Sequence, residues 1–265
     1  MKKHLIFTNG RSGSNYLVTL LNSHPQITNY GEILGDWTLP HKVNHNIRFG
    51  NPWFNNYADY LDYIYSSRLF FYSSQVYSIY DRIKKRQSTN FKFYNQIKSI
   101  GIKDFAINFE RRNITDYLEN RSDILIVNLY RENSLKRLIS LQAMQDTGVV
   151  KSVEQKNERQ KLYLSPSDLI HQLDTFEREK QEQLEIINLI PESRVMNISY
   201  EQYFSGREQQ EKINRAILDF LQVEQIELQG KHKKILDSTL ANILENYDEI
   251  YELLLGTEYA KYLDA

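Results

Sequence analysis

The sequence contains no cysteine, and this absence removes several kinds of chemistry at once. A chain without thiols forms no disulfide scaffold, carries no thiol nucleophile and offers no cysteine ligand to zinc or to an iron–sulfur cluster. Small disulfide-stabilised folds and cysteine-based enzymes are therefore excluded.

Long apolar runs and an excess of one charge are missing as well. No stretch approaches the roughly 20 apolar residues that cross a bilayer. The N-terminal segment 1–7 carries two lysines, but its apolar run ends at Thr8 and is shorter than the roughly 7–15-residue core of a signal peptide. The 33 Lys and Arg residues balance 34 Asp and Glu residues, whereas nucleic-acid binding favours a basic surface. We expect a cytoplasmic protein with no transmembrane segment and no nucleic-acid partner.

The 265 residues include 41% hydrophobic and 25% charged residues, as is usual for a globular chain of one large or two small domains. The segments 4–8, 100–105, 124–129 and 194–198 are predicted to be strands, of which 124–129 is the most apolar, and segments of helical periodicity lie between them. This alternation predicts an α/β fold, a parallel β-sheet flanked by helices. We expect a single domain over residues 1–265.

Two segments interrupt the pattern of alternating strands and helices and are interpreted as insertions. The first, at about 35–99, is polar, aromatic and weakly helical, and seven tyrosines lie between Tyr57 and Tyr80. The second, at about 148–165, is charged and poor in apolar residues, so a mobile loop is expected over 148–164.

A glycine-containing loop, Asn-Gly-Arg-Ser-Gly-Ser at 9–14, lies between the first strand and a helix. Such a loop directs backbone N–H groups towards an anion at the positive end of the helix dipole. In a nucleoside-triphosphate P-loop, a glycine and a lysine would stand at Asn15 and Tyr16. No later strand ends in an acidic residue of obvious Walker B type. A nucleotide kinase with a degenerate loop is therefore the weaker alternative.

The segment Thr-Asn-Gly-Arg-Ser-Gly-Ser-Asn-Tyr-Leu at 8–17, with Leu-Asn-Ser-His-Pro at 21–25 and Gly-Glu at 31–32, resembles the 5′-phosphosulfate loop of sulfotransferases. These enzymes use 3′-phosphoadenosine 5′-phosphosulfate (PAPS), and the bacterial trehalose and nodulation-factor types are the most similar. Where cytosolic members carry Lys-Ser-Gly-Thr, an arginine begins the motif here, and it supplies a permanent charge in a planar fork. The residues implied to bind PAPS are Arg11, Ser12, Gly13, Ser14 and Asn15.

The resemblance implies a P-loop-like sulfotransferase fold with the aromatic-rich helical segment inserted on the acceptor side. It also implies in-line transfer of a sulfonate from PAPS to a hydroxyl of a carbohydrate, lipid or small-molecule acceptor. The nucleotide product is 3′-phosphoadenosine 5′-phosphate. A glycan is one possible acceptor.

Three later elements are similar to the family's nucleotide-binding elements and occur in the same order. A strand ending at Arg131 and a helix carrying Ser140 resemble the pair that holds the 3′-phosphate, although their spacing is nine positions rather than eight, and Lys136 or Arg137 could share the role. Tyr200 follows the last predicted strand. It resembles the family's tyrosine at the end of a strand, which lies against the adenine. The basic segment 230–234 resembles a late loop over the 3′-phosphate, which implies contacts from Lys231 and Lys233.

Glu32 is the candidate general base for the acceptor hydroxyl, a role that several carbohydrate sulfotransferases give to a glutamate in this position. Cytosolic members use a histidine two residues after a strand lysine. Here Lys103 is followed at that distance by Phe105, so the histidine route is closed. Lys103 is a candidate for contact with the sulfonate, with a solvent-facing lysine as the alternative. His24 is better explained as a capping or packing residue, and the chemistry requires no metal.

The tyrosines at 57, 60, 63 and 80 are compatible with two interpretations. They can be ordinary core residues, or they can form an aromatic wall for a sugar or another ring-bearing acceptor, because aromatic faces pack on apolar ring faces. A further alternative to an enzyme is an inactive nucleotide- or glycan-binding module.

Overall fold

The structure is a computed structural model that describes residues 1–43, 54, 56–84, 90–147, 161–228 and 239–263. Its centre is a parallel sheet of five strands in the order β2-β3-β1-β4-β5. The strands are β1 (Lys2–Thr8), β2 (Ile27–Asn29), β3 (Ser99–Phe105), β4 (Ile124–Tyr130) and β5 (Val195–Ser199). The prediction of an α/β fold with a parallel sheet flanked by helices is confirmed.

Helices connect the strands and cover the sheet. The α-helices with both ends in the described ranges are α1 (Ser14–Leu21), α2 (Tyr57–Ser66), α3 (Arg68–Lys84), α4 (Ala106–Arg111), α5 (Tyr117–Asn120), α6 (Ser134–Thr147), α7 (Leu169–Asn188), α8 (Tyr200–Tyr203), α9 (Arg207–Phe220), α10 (Leu240–Ile243) and α11 (Tyr247–Leu255). Residues 39–43 are helical as well. Short 3₁₀ turns lie at Tyr94–Gln96, Glu192–Arg194 and Glu258–Tyr262. No helix within these ranges is long and apolar enough to span a bilayer.

The central strand β1 is apolar on both faces because helices cover both sides of the sheet. Leu5 and Phe7 face the side covered by α2 and α4, where Phe7 meets Phe109 edge-on with ring centroids 5.4 Å apart. Ile6 faces the opposite side and packs in the cluster that includes Leu17 of α1 and helix α9. A further apolar cluster joins α6, α7, α10 and α11.

The edge strand β2 was not predicted. Two of its three residues, Thr28 and Asn29, are polar, so no apolar run indicates a strand at this position. Side-chain bonds stabilise the strand: Asn22 Oδ1 accepts from the N–H of Asn29 at 2.8 Å, and Asn29 Nδ2 donates to the carbonyl of Ile102 at 3.0 Å. Since β2 runs parallel to β3, the residues that follow it reach the same sheet edge as the glycine loop.

Helix α1 begins at Ser14, and Gly13 is its N-cap without a side-chain hydrogen bond. The mobile loop expected over 148–164 is wrong for its last residues, because Leu162 pairs with Leu244 and Leu164 is buried. The rest of that loop, 148–160, lies outside the described residues.

Candidate functional site

Five residues that the sequence analysis selected meet at one edge of the sheet. Arg11 follows β1, Glu32 follows β2, Lys103 lies near the end of β3, Arg131 follows β4, and Tyr200 follows β5. All five strands are parallel, so their carboxyl ends share one edge, where open α/β sheets bind ligands. Each strand therefore contributes one candidate residue to a common site.

The loop between β1 and α1 contains two residues in the left-handed backbone region. Gly13 has φ 82° and Arg11 has φ 66°. Glycine adopts this conformation freely, whereas a residue with a Cβ is strained by it. At position 13 a Cβ would also lie 2.8 Å from the ring of Phe204 and 3.1 Å from that of Tyr200. Glycine at this position lets the loop lie directly against the two aromatic rings.

Polar side chains fix the loop to its surroundings. Thr8 Oγ1 lies 2.7 Å from the carbonyl oxygen of Leu129, and Ser12 Oγ lies 2.9 Å from that of Asn9. The two hydroxyls also contact each other, so each can donate its single proton either to its carbonyl or to the other hydroxyl. Asn9 Nδ2 donates to Gln183 Oε1 of α7 at 2.8 Å. The Ser12 hydroxyl is thus part of the loop's internal support.

Arg137 also supports the loop. It is buried, its Nε donates to the carbonyl of Gly10 at 2.8 Å, its Nη2 pairs with Glu179, and its guanidinium lies 4.2 Å from the ring centre of Phe176. Burial lowers the pKa of Arg137, and Glu179 opposes that shift. The alternative in which Arg137 shares the 3′-phosphate is therefore weakened, because its donors hold the loop and α7.

Arg11 connects the glycine loop to α6. Its Nε and Nη2 donate to Ser140 Oγ at 3.1 and 3.0 Å, and its Nη1 lies 3.6 Å from Met144 Sδ. The backbone carbonyl of Arg11 accepts from Arg131 Nη1 at 3.3 Å. Ser140 and Arg131, which the resemblance pairs at the 3′-phosphate, are thus both joined to Arg11. Ser14 is buried and Asn15 half-buried in the first turn of α1, where backbone N–H groups lack intrahelical partners.

Arg131 is a buried cation with incomplete hydrogen bonding. The residue is 9% exposed, and its guanidinium lies 4.3 Å from the ring centre of Tyr200. Its Nε has no hydrogen-bond partner among the described residues. The nearest carboxylate, on Glu201, is 3.8 Å away and accepts from the N–H groups of Glu132 and Asn133. Burial lowers the pKa of Arg131, while Tyr200 and Glu201 oppose the shift. This arrangement can accommodate an anionic ligand group.

Glu32 and Lys103 form an ion pair. Lys103 is 1% exposed, its Nζ lies 3.9 Å above the ring of Phe105, and Glu32 also accepts from Trp37 Nε1 at 2.6 Å. Burial lowers the pKa of Lys103, the Glu32 carboxylate opposes this, and the charge of Arg11 adds to the lowering. Lys103 is thus not a solvent-facing lysine, and it shares one electrostatic environment with Arg11 and Glu32.

Asp104 positions the segment that carries Glu32. It is fully buried, and its carboxylate accepts from the N–H groups of Ile33 and Leu34 at 2.8 Å and from Asn108 Nδ2 at 2.5 Å. Burial raises the pKa of Asp104, and these bonds oppose that shift. Asp104 was not selected from the sequence, although it is an acidic residue near the end of β3. Its bonds to the backbone leave it unsuited to the magnesium role of a Walker B acid.

His24 is a packing residue, and the four tyrosines singled out from the sequence lie in different surroundings. His24 is buried and bonds to the carbonyl of Glu224 at 2.9 Å, which confirms a packing role. Tyr57 stacks on His41, and Tyr80 is 66% exposed. Tyr60 and Tyr63 line a cavity of about 810 Å³ that Glu32 also lines.

Three contributors to the site escaped sequence reasoning: Asp104, Trp37 and Glu201. The acidic residue next to Lys103 in β3 was a visible signal for Asp104, whereas the contacts of Trp37 and Glu201 depend on tertiary structure. The predicted contacts Lys231 and Lys233 lie outside the described residues.

The arrangement is that of the sulfotransferase fold, a P-loop-like α/β fold. Over 100% of its length the chain matches the crystal structure of a sulfotransferase from Alicyclobacillus acidocaldarius, covering 94% of that chain with a TM-score of 0.52 and 10% sequence identity. At this identity the likeness is one of fold.

Two further solved structures are similar. The sulfotransferase domain of the Synechococcus PCC 7002 olefin synthase has a TM-score of 0.45 and 15% identity, with 96% of this chain and 86% of that chain covered. A sulfotransferase domain from the curacin biosynthetic pathway has a TM-score of 0.47 and 16% identity, with 91% and 82% covered. No protein-family model matches the sequence, and no curated protein matches it either.

Proposed function

We propose that this protein is a sulfotransferase that transfers a sulfonate group from PAPS to a hydroxyl group of an acceptor. The observation that carries the proposal is the meeting of Arg11, Lys103 and Arg131 around a strained glycine loop at the carboxyl edge of the sheet. Two of these cations are almost fully buried. Buried cations require anionic or hydrogen-bonding partners. Arg131 has one hydrogen bond in the described ranges, to the carbonyl of Arg11, and a carboxylate 3.8 Å away, so an anionic ligand would be a favourable further partner for its guanidinium.

The residues of the site fit a donor with anionic groups at two ends. When bound, PAPS supplies an activated sulfonate on a phosphate leaving group. Arg11 and the backbone N–H groups of 12–15 would hold that phosphosulfate, while Arg131 and Ser140 would hold the 3′-phosphate. Tyr200 would contact the adenine, and Lys231 and Lys233 are assigned to the 3′-phosphate from the resemblance alone.

Glu32 is proposed as the general base. Its carboxylate, held between Lys103 and Trp37, takes the proton of the acceptor hydroxyl. Arg11, the first-turn N–H groups of α1 and Lys103 stabilise negative charge that develops on the donor side, because fixed charges and dipoles in a partly buried site act with little reorganisation. As in phosphoryl transfer, the protein contributes positioning and electrostatics rather than a covalent intermediate.

The kinase alternative is less well supported than the sulfotransferase. In this loop Tyr16 stands where a kinase has its lysine. The carboxylate of Asp104 accepts hydrogen bonds from backbone N–H groups, so it is not available to bind magnesium. An inactive binding module would share the donor site, so it differs from the enzyme only in turnover.

Isothermal titration calorimetry with 3′-phosphoadenosine 5′-phosphate, AMP and ATP tests the donor assignment. We expect the 3′-phosphorylated nucleotide to bind most tightly. Arg131→Ala should weaken its binding by roughly 10- to 150-fold, because a charged hydrogen bond contributes about 1.5–3 kcal/mol, and should hardly affect AMP. Arg178→Ala is the matched control, since Arg178 is exposed on α7.

Transfer of radiolabelled sulfonate to sugars, phenols and long-chain alcohols then separates an enzyme from an inactive module. Tighter binding of magnesium-ATP than of the 3′-phosphorylated nucleotide would refute the proposal. Equal losses for AMP and its 3′-phosphorylated form in Arg131→Ala would remove Arg131 from the 3′-phosphate site.

A further inference from the structure

Helix α3 carries apolar side chains on two opposite faces. On one face, Phe71 is fully buried in the apolar core that also contains Phe7, and Gln75 accepts from the backbone N–H of Lys92 at 3.3 Å. On the other face, a row of large apolar side chains is 38–68% exposed. This row, the α3 stripe, consists of Leu69, Tyr72, Val76, Tyr80 and Ile83. A helix that packs on one side only usually presents polar residues on the other, so the stripe requires an explanation.

The stripe continues into two exposed phenylalanines of the segment before β3. Phe91 stacks on Tyr72 with ring centroids 6.3 Å apart, and Phe93 meets Phe91 edge-on at 5.3 Å. Of these seven described residues, only Leu69 also lines the cavity beside Glu32. The α3 stripe and the two phenylalanine rings thus form one apolar patch, and this patch is a different surface from the candidate site.

The patch is larger than a monomer usually leaves uncovered. From their exposed fractions, the seven side chains present on the order of 700 Å² to solvent, since one large aromatic side chain accounts for about 150–250 Å². The largest apolar patch of a typical monomer measures roughly 300–600 Å². Each partner of a stable interface contributes roughly 600–1,000 Å². The patch is therefore large enough for a stable contact with another protein surface.

The spacing of the α3 stripe indicates which surface that is. Successive members are three, four, four and three positions apart, so the row reads the same from either end, with Val76 at its centre. Two copies of the helix that pair antiparallel about a two-fold axis at Val76 bring Leu69 of one copy against Ile83 of the other. The same axis brings Tyr72 against Tyr80. A symmetric dimer requires a self-complementary surface of this kind.

The exposed charges of α3 do not oppose this pairing. Arg68 and Lys84 are its exposed charged residues. In a helix of 3.6 residues per turn, these two side chains project about 160° apart, on opposite flanks of the stripe. In an antiparallel two-fold pair, each flank meets the same flank of the second copy. Arg68 and Lys84 therefore stay on opposite sides of the helix pair.

We propose that the patch is the interface of a symmetric homodimer, in which two α3 helices pair antiparallel across Val76. The partner is thus a second copy of this chain. The stripe side chains become buried against their counterparts, and Phe91 and Phe93 pack along the edge of the helix pair. This inference is independent of the proposed sulfonate transfer.

Sedimentation analysis of charge variants tests the interface. We expect the wild-type chain to form dimers at concentrations up to about 100 μM, because interfaces of this area bind with micromolar or tighter affinity. Val76→Glu and Val76→Lys each bring two like charges together at the axis, so each should weaken dimerisation by at least about 100-fold. An equimolar mixture of the two variants should dimerise again, because opposite charges then meet. Leu189→Glu, at an exposed position after α7, is the control and should dimerise normally.

Disulfide trapping tests the antiparallel arrangement. The chain has no cysteine, so each cysteine variant carries a single thiol. Packed helix axes lie about 8–10 Å apart, which brings the two Cα atoms of position 76 close to the roughly 4.4–6.8 Å of a disulfide. Val76→Cys should therefore form a covalent dimer under mild oxidation. Leu69→Cys should cross-link to Ile83→Cys in a mixture but not to itself, since its two copies lie roughly 21 Å apart along the helix. Leu189→Cys is the control and should stay uncross-linked.

Four results would overturn the proposal. A wild-type chain that is monomeric at every concentration would remove the dimer. A dimer that persists in both Val76→Glu and Val76→Lys would place the interface on another face. Cross-linking of Leu69→Cys to itself, without cross-linking of Val76→Cys, would exclude the antiparallel register. Binding of a monomeric wild-type chain to phosphatidylserine vesicles, lost in Val76→Glu, would assign the patch to a lipid surface instead.

Discussion

Glu32 is held by two partners of different character. Lys103 supplies a buried positive charge and Trp37 an indole N–H, and the same carboxylate borders the cavity. Its position depends further on Asp104, which binds the backbone of the next two residues. A carboxylate fixed in this way is oriented before any substrate arrives, and preorganisation of this kind lowers the barrier to proton transfer.

If Glu32 is the base, Glu32→Gln should reduce turnover by about 10²–10⁴-fold, the usual contribution of a positioned base. Affinity for the donor nucleotide should change little, because the amide oxygen still accepts from Lys103. Steady-state kinetics and calorimetry on the same preparation measure both effects. Glu119→Gln, an exposed glutamate in α5, is the control. Full turnover by Glu32→Gln would assign proton removal to another group.

At the scale of the element, the glycine loop combines a strained backbone with a residue proposed to bind the donor. Arg11 adopts a left-handed conformation that costs a residue with a Cβ about 1–2 kcal/mol. The loop is held in this shape from outside by Arg137 of α6 and Gln183 of α7. The fold thus tolerates local strain at the position of the cation proposed to bind the donor.

The strain at Arg11 predicts that its glycine and alanine variants differ in stability but lose activity to the same extent. Arg11→Gly should be more stable than Arg11→Ala by about 1 kcal/mol in urea unfolding, because glycine relieves the strain. Both variants should lose about 10²–10³-fold in turnover, as expected for loss of one charge-stabilising donor. At Lys212, exposed in α9, the order should reverse, with glycine about 1 kcal/mol less stable than alanine. The same order at both positions would show that the loop is unstrained.

The strand that sequence reasoning located most clearly is a nearly continuous apolar run, and the one it missed is not. All of residues 124–129 except half-buried Leu125 are buried, because both faces of this strand are covered. Strand β2 depends on the Asn22–Asn29 bonds, which no local pattern indicates. The candidate residues were selected through the resemblance to sulfotransferases, and three of them, Arg11, Arg131 and Tyr200, follow predicted strands, whose carboxyl ends lie at one edge of a parallel sheet. The connections among them, such as Asp104 to Ile33, arise from packing between distant segments, so sequence reasoning did not find them.

At the scale of the whole molecule, the stability of the sheet depends on pH through His4, which lies in the central strand β1. The imidazole is fully buried, with Nδ1 2.8 Å from Ser99 Oγ and Nε2 3.1 Å from Asn29 Nδ2. A Cβ at Gly101, the β3 residue beside His4, would lie 2.2 Å from the ring, so glycine there makes room for it. Burial lowers the pKa of His4 to about 3.

Acidification should therefore destabilise the fold through His4. Between pH 6.5 and about 3 the unfolded chain binds a proton at this residue that the folded protein excludes, so the free energy of unfolding falls as the pH falls. The loss at pH 5 relative to pH 7.5 is about 2 kcal/mol from this group. Urea unfolding at both pH values measures it, and His4→Gln should reduce the difference by that amount. His171→Gln, an exposed histidine in α7, should leave it unchanged.

The central place of β1 has a consequence for how the chain reaches its folded state. Its partners are remote: Ser99 is 95 residues beyond His4, and Leu129 is 121 residues beyond Thr8. Closure of such long loops precedes any gain from sheet pairing, which slows folding relative to helical bundles. During synthesis the apolar Leu5-Ile6-Phe7 stretch has no strand to pair with until β3 and β4 have been made. A nascent chain stopped before residue 99 would expose both edges of its most hydrophobic strand to other chains, and such edges promote aggregation.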